Sequence, residues 1–193
     1  MSLISWKTAE CPVVDTYLNQ LDLENATRQK SEWLDMGELS RPVEPFLQRE
    51  HFSFEDCTNK AFDRDLYLYS LNDEYDEQLT SFAKSIFKDK VRSLSEDFEV
   101  IRTGVHYYPK NGFMGWHTNS DRPRWTLYIT RTLKEGNSFF RYHDVKTGNI
   151  ITSYDGVGYT FRIFKLGQGK TNQFKHCVYT DVDRWSLGFQ IIG

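Results

Sequence analysis

From about residue 98 the chain is cut into short runs rich in Val, Ile, Tyr, Phe and Trp, with Gly, Asn and Asp clusters between them. The runs fall at 98–108, 125–130, 138–142, 149–153, 159–165, 173–179 and 185–192. β-branched and aromatic side chains suit a pleated, half-buried surface, and the residues between them suit turns. Many short strands at near-regular spacing predict a β-sandwich or barrel. Aromatic residues make up 16% of the sequence, enough to line the walls of such a core.

The first half has a different character, charged and helix-prone. Leu79, Phe82, Ala83, Ile86, Phe87 and Val91 recur at three- and four-residue spacing, which predicts one apolar stripe on a helix over about 74–94. Asn72 or Asp73 would cap it, and Lys88, Lys90 and Arg92 near its end would complement its dipole. The acidic run Asp73 to Glu77 reads as a solvated helix start, and Arg41-Pro42-Val43-Glu44-Pro45 as a turn-rich connection. Nothing between the halves has the composition of a linker. Residues 1–193 therefore read as one α+β, mainly β domain, with 1–97 as helix-rich support and 98–193 as the β core.

Charge and composition narrow the function. The 24 basic and 27 acidic residues are well mixed and give a net charge of −3, so no polybasic block indicates nucleic acid. No apolar run reaches the roughly 18 residues that a membrane helix needs. The opening Met-Ser-Leu-Ile-Ser-Trp-Lys lacks a signal-peptide pattern. Cys11, Cys57 and Cys177 form neither a disulfide framework nor a zinc motif. A cytoplasmic location is expected.

The chemistry lies in the histidines and one arginine. Of His51, His106, His117, His143 and His176, two keep informative company. His117 sits in Gly115-Trp116-His117-Thr118-Asn119-Ser120-Asp121, and on an extended strand His117, Asn119 and Asp121 share one face. His176 lies in a separate strand, with Arg184-Trp185-Ser186 following it. Two imidazoles and one oxygen ligand on one face leave three coordination positions open, the geometry of non-haem Fe(II) oxygenases. A guanidinium beside them would hold a carboxylate through paired hydrogen bonds. Read alone, Arg184 would pair with Asp181 or Asp183 on a surface turn. His106 points opposite to Tyr107 and reads as structural, His143 as exposed, and Cys177 as facing away from His176. Trp116 and Trp125 either line a pocket mouth or pack.

The order of these pieces over 105–192 resembles the iron(II)/2-oxoglutarate-dependent dioxygenases, on the prolyl-4-hydroxylase-like side. Tyr107-Tyr108-Pro109 and a Gly-containing turn lead into His117. Leu127-Tyr128-Ile129-Thr130 resembles the strand that carries a tyrosine toward the cosubstrate. The run from Glu135 to Tyr142 resembles the family's glycine-started strand, and His176 followed by Arg184-x-Ser186 its distal histidine and 2-oxoglutarate anchor. The wording Gly-Trp-His-Thr-Asn also resembles oxygenase-like proteins of bacteriophages.

The resemblance implies a double-stranded β-helix (jelly-roll) core with supporting N-terminal helices. It implies Fe(II) held by His117 and His176, with 2-oxoglutarate and O2 as cosubstrates. Arg184 would hold the far carboxylate, helped by Tyr128 and by Ser186 or Tyr108. The reaction would decarboxylate 2-oxoglutarate to succinate and hydroxylate a peptidyl side chain, a nucleobase or a small metabolite.

The sequence departs from the family at one position. Where the family has His-x-Asp, this chain has His117-Thr118-Asn119, and a neutral amide does not offset the metal's charge. Asn119 ligating through its carbonyl oxygen is the favoured reading. Asp121 on a wider loop is the rival third ligand. The same position could also stay vacant, as in halogenating relatives, or belong to a site that binds without turnover.

Overall fold

The computed structural model describes residues 3–30, 43–48, 63–71, 74–95, 97–119, 123–167 and 174–192. Its helices are α1 (Pro12–Leu18) and α2 (Asp76–Lys90). Its strands are β1 (Ile4–Thr8), β2 (Thr27–Lys30), β3 (Arg64–Leu68), β4 (Glu99–Tyr108), β5 (Phe113–His117), β6 (Trp125–Thr132), β7 (Phe139–Asp144), β8 (Asn149–Tyr154), β9 (Gly158–Lys165), β10 (His176–Tyr179) and β11 (Arg184–Ile192).

The strands form one antiparallel sheet in the order β1-β9-β6-β11-β4-β3-β5-β10-β7-β8, with β2 attached to β3. The sheet curls on itself. Tyr128 and Phe164 from its first arm meet Met114, Phe140 and Val178 from its second arm in one interior cluster. Strand β3 joins the arms: β2 lines one edge of it, and along the other edge Tyr67 and Leu68 pair with β4 while Arg64 and Asp65 pair with β5. The result is a jelly roll, the mainly β fold that the run spacing and the resemblance lead one to expect.

Alternation along each strand sorts the side chains. Leu127, Ile129, Phe161, Ile163, Leu187 and Phe189 face outward from the first arm, toward the helices. Helix α2 covers this face with Leu79, Ala83 and Phe87, all buried, and α1 adds Val14, Tyr17 and Leu18. Each large apolar side chain among them contributes about 1.5–3 kcal/mol by leaving water. Asp76 and Glu77 begin α2 and Lys88 and Lys90 end it, the arrangement its dipole favours. Asn72 and Asp73, the expected caps, lie outside the described residues, as do His51, Cys57 and Asp121. Arg102 fastens the helix to the sheet through Asp76 at 3.1 Å and the Leu71 carbonyl at 2.7 Å. The N-terminal half also supplies β1, β2 and β3.

The outer face of the second arm carries Phe113, Trp116, Phe139, Cys177 and Tyr179, covered by Val43 and Leu47. Cys177 packs there, away from His176. Trp116 packs with it, and Trp125 packs at the edge of the helix-covered core under Lys165. His143, expected to be exposed, is buried: β7 is paired on both sides, and the His143 amide donates to the Lys175 carbonyl.

Irregularities keep the inner face on target. Between β5 and β10, three residue steps from Met114 to His117 oppose two from His176 to Val178. This bulge lets Met114 and His117 both face inward despite their odd separation. Gly158 has φ +86° and lies where a Cβ would stand 2.6 Å from the Thr8 carbonyl, so the β1–β9 corner requires glycine. Among the described residues no helix is long and apolar enough to cross a membrane.

Candidate metal and carboxylate site

His117 ends β5, His176 opens β10, and the two are Cα partners across the strand pair. Their rings stand 4.1 Å apart, centroid to centroid. His117 Nδ1 lies 2.8 Å from the Gly115 carbonyl, and His176 Nδ1 lies 3.2 Å from the Phe174 carbonyl. A carbonyl only accepts, so each Nδ1 carries the hydrogen and each Nε2 presents a lone pair. Burial drives both imidazoles toward the neutral form: it lowers His117 to about 4 and His176 well below the ordinary value. His176 is packed against Phe140 and Phe174, at 5.0 and 5.7 Å. Neutral imidazole is the form that ligates a metal.

Asn119 follows β5 by two residues and turns into the same space. Its amide nitrogen is 3.5 Å from His176 Nε2 and donates to the Tyr128 hydroxyl. The bond to the Gly115 carbonyl and a side-chain hydrogen bond with Asn119 partly oppose the burial effect at His117. Rotating the amide by half a turn would present Oδ1 to the point the two Nε2 atoms share. The donor set is then two imidazole nitrogens and one amide oxygen, which fits Fe(II) with open positions. Among the described residues no three His, Cys, Asp or Glu side chains form a metal cluster.

Arg184 opens β11 and points inward, 1% exposed, paired by register with Tyr108 on one side and Thr132 on the other. Its guanidinium lies 5.0 Å from the centre of the buried Tyr108 ring, a cation–π contact. Arg184 does not pair with Asp181 or Asp183. Its Nε donates to Asp155 at 2.9 Å and Nη2 to Thr130 Oγ1 at 3.1 Å, while Nη1 is buried without a hydrogen-bond partner. A buried donor left open beside a buried cation suits a carboxylate. Ser186 is buried two residues along the same face.

Tyr128 lies between the two groups. Its hydroxyl meets Asn119, and burial together with Tyr108 raises its pKa although Asn119 and Arg184 oppose them. Gly188 makes room for its ring: a Cβ there would lie 3.1 Å from Tyr128 Cε1.

No family model matches the sequence, and no curated protein matches it. Solved structures do. A Pseudomonas putida prolyl-4-hydroxylase superposes with a TM-score of 0.52 at 14% identity, over 99% of this chain and 92% of that one. A Burkholderia pseudomallei oxidoreductase of the 2OG-Fe(II) oxygenase family gives 0.52 at 12% identity, over 96% and 92%. A Trichoplax adhaerens prolyl hydroxylase, in complex with a peptide fragment of the hypoxia inducible factor oxygen degradation domain, gives 0.53 at 10% identity, over 93% and 74%. The chain has the fold of the prolyl-4-hydroxylase-like 2-oxoglutarate oxygenases.

On this oxygenase fold the structure brings His117, His176, Asn119 and Tyr128 into one cluster, and Arg184, Tyr108 and Ser186 onto the adjoining wall. Asp121 lies outside the described residues. Sequence reasoning missed three residues. His106 shares the inner face with Tyr108, its ring folded over Gly104, and burial, Arg184, His117 and Arg64 lower its pKa to about 4. Only its parity with Tyr108 hinted at this. Arg162 was visible as a charge inside the apolar run of β9. Asp155 gave no signal, since an Asp before Gly156 reads as an ordinary turn.

Proposed function

We propose that this protein is an Fe(II)- and 2-oxoglutarate-dependent oxygenase that hydroxylates an organic substrate. The observation that carries the reading is the convergence of two neutral, Nε2-presenting histidines on Asn119, next to a buried arginine with an open donor. His117, His176 and Asn119 would hold the metal, and Arg184 the far carboxylate of the cosubstrate. When bound, Fe(II) with 2-oxoglutarate and O2 supplies the oxidising chemistry, converting 2-oxoglutarate to succinate and CO2.

The chain's own residues bind, orient and shield. The backbone carbonyls of Gly115 and Phe174 fix the tautomer and aim of the histidines. Tyr108 and Thr130 hold the plane of the Arg184 guanidinium. Phe140, Phe164 and Phe174 pack around His176 and keep water from its ring. A peptidyl side chain is the substrate class we favour over a nucleobase or a small metabolite, since one fold neighbour is a prolyl hydroxylase bound to a peptide. The mixed surface charge gives no electrostatic pull toward nucleic acid.

Asn119 favours a second reading, a jelly-roll binding module that keeps the pocket without turnover. Anaerobic titration of 2-oxoglutarate into the Fe(II)-loaded protein separates the two. The oxygenase reading expects the weak visible charge-transfer band of the chelate, lost in His176→Ala and Arg184→Ala. No band and no retained iron in the wild type would favour the binding module.

A further inference from the structure

Arg184 shares its counter-ion. Asp155, which follows β8, accepts from Arg184 Nε at 2.9 Å and from Ser138 Oγ at 2.6 Å, both on Oδ2. Its other oxygen, Oδ1, lies 2.6 Å from Arg162 Nη1. All three side chains of this Arg162–Asp155–Arg184 triad are at most 1% exposed. Arg162 is held from the far side by Ser153, through the hydroxyl at 3.0 Å and the carbonyl at 2.8 Å. Thr130 Oγ1 accepts from both arginines.

The charges do not balance. Burial pushes the Asp155 carboxyl up, but Arg162, Arg184 and Ser138 outweigh it and hold the group well below the usual carboxylate range. Guanidinium groups stay protonated in proteins. Two cations and one anion leave one positive charge buried, and a buried unpaired charge is costly. The open Nη1 of Arg184 is on the side of the guanidinium that Asp155 and Thr130 leave unused.

We propose that the anion affinity of this pocket belongs to the triad and not to Arg184 alone: Arg162 neutralises Asp155, and this frees the charge of Arg184 for an incoming carboxylate. Remove Arg162, and Asp155 becomes an internal competitor that cancels Arg184. Arg162 and Asp155 are thus positioning residues that set the pocket's charge without touching the ligand. The inference rests on the reading above that the incoming group is the far carboxylate of 2-oxoglutarate.

The test is a charge-balance cycle. 2-Oxoglutarate is titrated calorimetrically into anaerobic, Mn(II)-loaded wild type, Arg162→Met and the double variant Asp155→Asn/Arg162→Met, with circular dichroism confirming that each is folded. Arg162→Met should weaken binding at least about tenfold, the scale of a lost charge-assisted contact. The double variant restores the single positive charge and should return to within about threefold of wild type. A merely structural role for Arg162 would leave the double variant no better than the single one. Equal affinity in wild type and Arg162→Met, or no recovery in the double variant, overturns the proposal. If wild type binds no 2-oxoglutarate, the oxygenase reading falls, and the triad is judged on formate at matched ionic strength. Formate should then raise the melting temperature of wild type and the double variant but not of Arg162→Met, and an equal rise in all three overturns the triad's role.

Discussion

The amide nitrogen of Asn119 stands 3.5 Å from Nε2 of His176, in the space that a ligand shared by His176 and His117 would take. A carboxylate at this position would add a full negative charge to an otherwise neutral donor set. Asn119→Asp is therefore expected to tighten Fe(II) or Mn(II) binding by about tenfold or more. Competition against a chromophoric chelator under argon measures it. Unchanged affinity would move the third contact to Asp121.

Tyr128 bonds to Asn119, whereas the resemblance assigns it to the cosubstrate. Tyr128→Phe keeps the ring and removes the bond that orients the amide. It should lower metal affinity by about tenfold, as loss of an outer-shell partner does. If only 2-oxoglutarate binding weakens and metal binding holds, the hydroxyl serves the carboxylate.

The lowered pKa values of His106, His117 and His176 predict that the metal-free protein is acid-sensitive. His106 and His117 titrate near 4 in the folded chain, and His176 well below its ordinary value, against about 6.5 unfolded. Between those values the unfolded chain binds more protons, so stability is lost as pH falls from about 6.5 toward 4. The slope is about 1.4 kcal/mol per pH unit for each histidine that remains neutral. Urea unfolding in chelator at about pH 7.5, 6.5 and 5.5 checks the sign. A midpoint that stays constant over that range would mean these rings are not held neutral.

Leu79 anchors α2 to the sheet from a site remote from the pocket, 1% exposed. Leu79→Ala should cost about 2–5 kcal/mol and lower the melting temperature by roughly 5–15 °C, with 2-oxoglutarate affinity unchanged. Calorimetric melting and the same titration read both. A small loss of stability would mean that the helix packs loosely on β4.

The β core was legible because its strands are antiparallel with one face buried against the helices. Leu127 and Ile129 face one way while Tyr128 and Thr130 face the other, and that alternation is written into the residues. Strands β1, β2 and β3 were not. They are short, lie among charged residues, and exist through pairings with distant partners such as Ser5 with Arg162. In the site, His117, His176 and Arg184 stood out by residue type. The link from Asp155 to Arg184 did not, because a turn residue and a strand residue 29 positions apart meet only after β8 and β9 have folded.

Strand β1 has a consequence for how the chain is made. Residues 4–8 hydrogen-bond with 159–163, so the edge they form is completed only after the residues between them have been synthesised. At about 5–20 residues per second, the first strand waits on the order of 8–32 s for its partner. During that interval Ile4 and Trp6, which pack against the helix-covered core, have no sheet to join. Until β9 has emerged, that apolar surface stays open to water and to other chains.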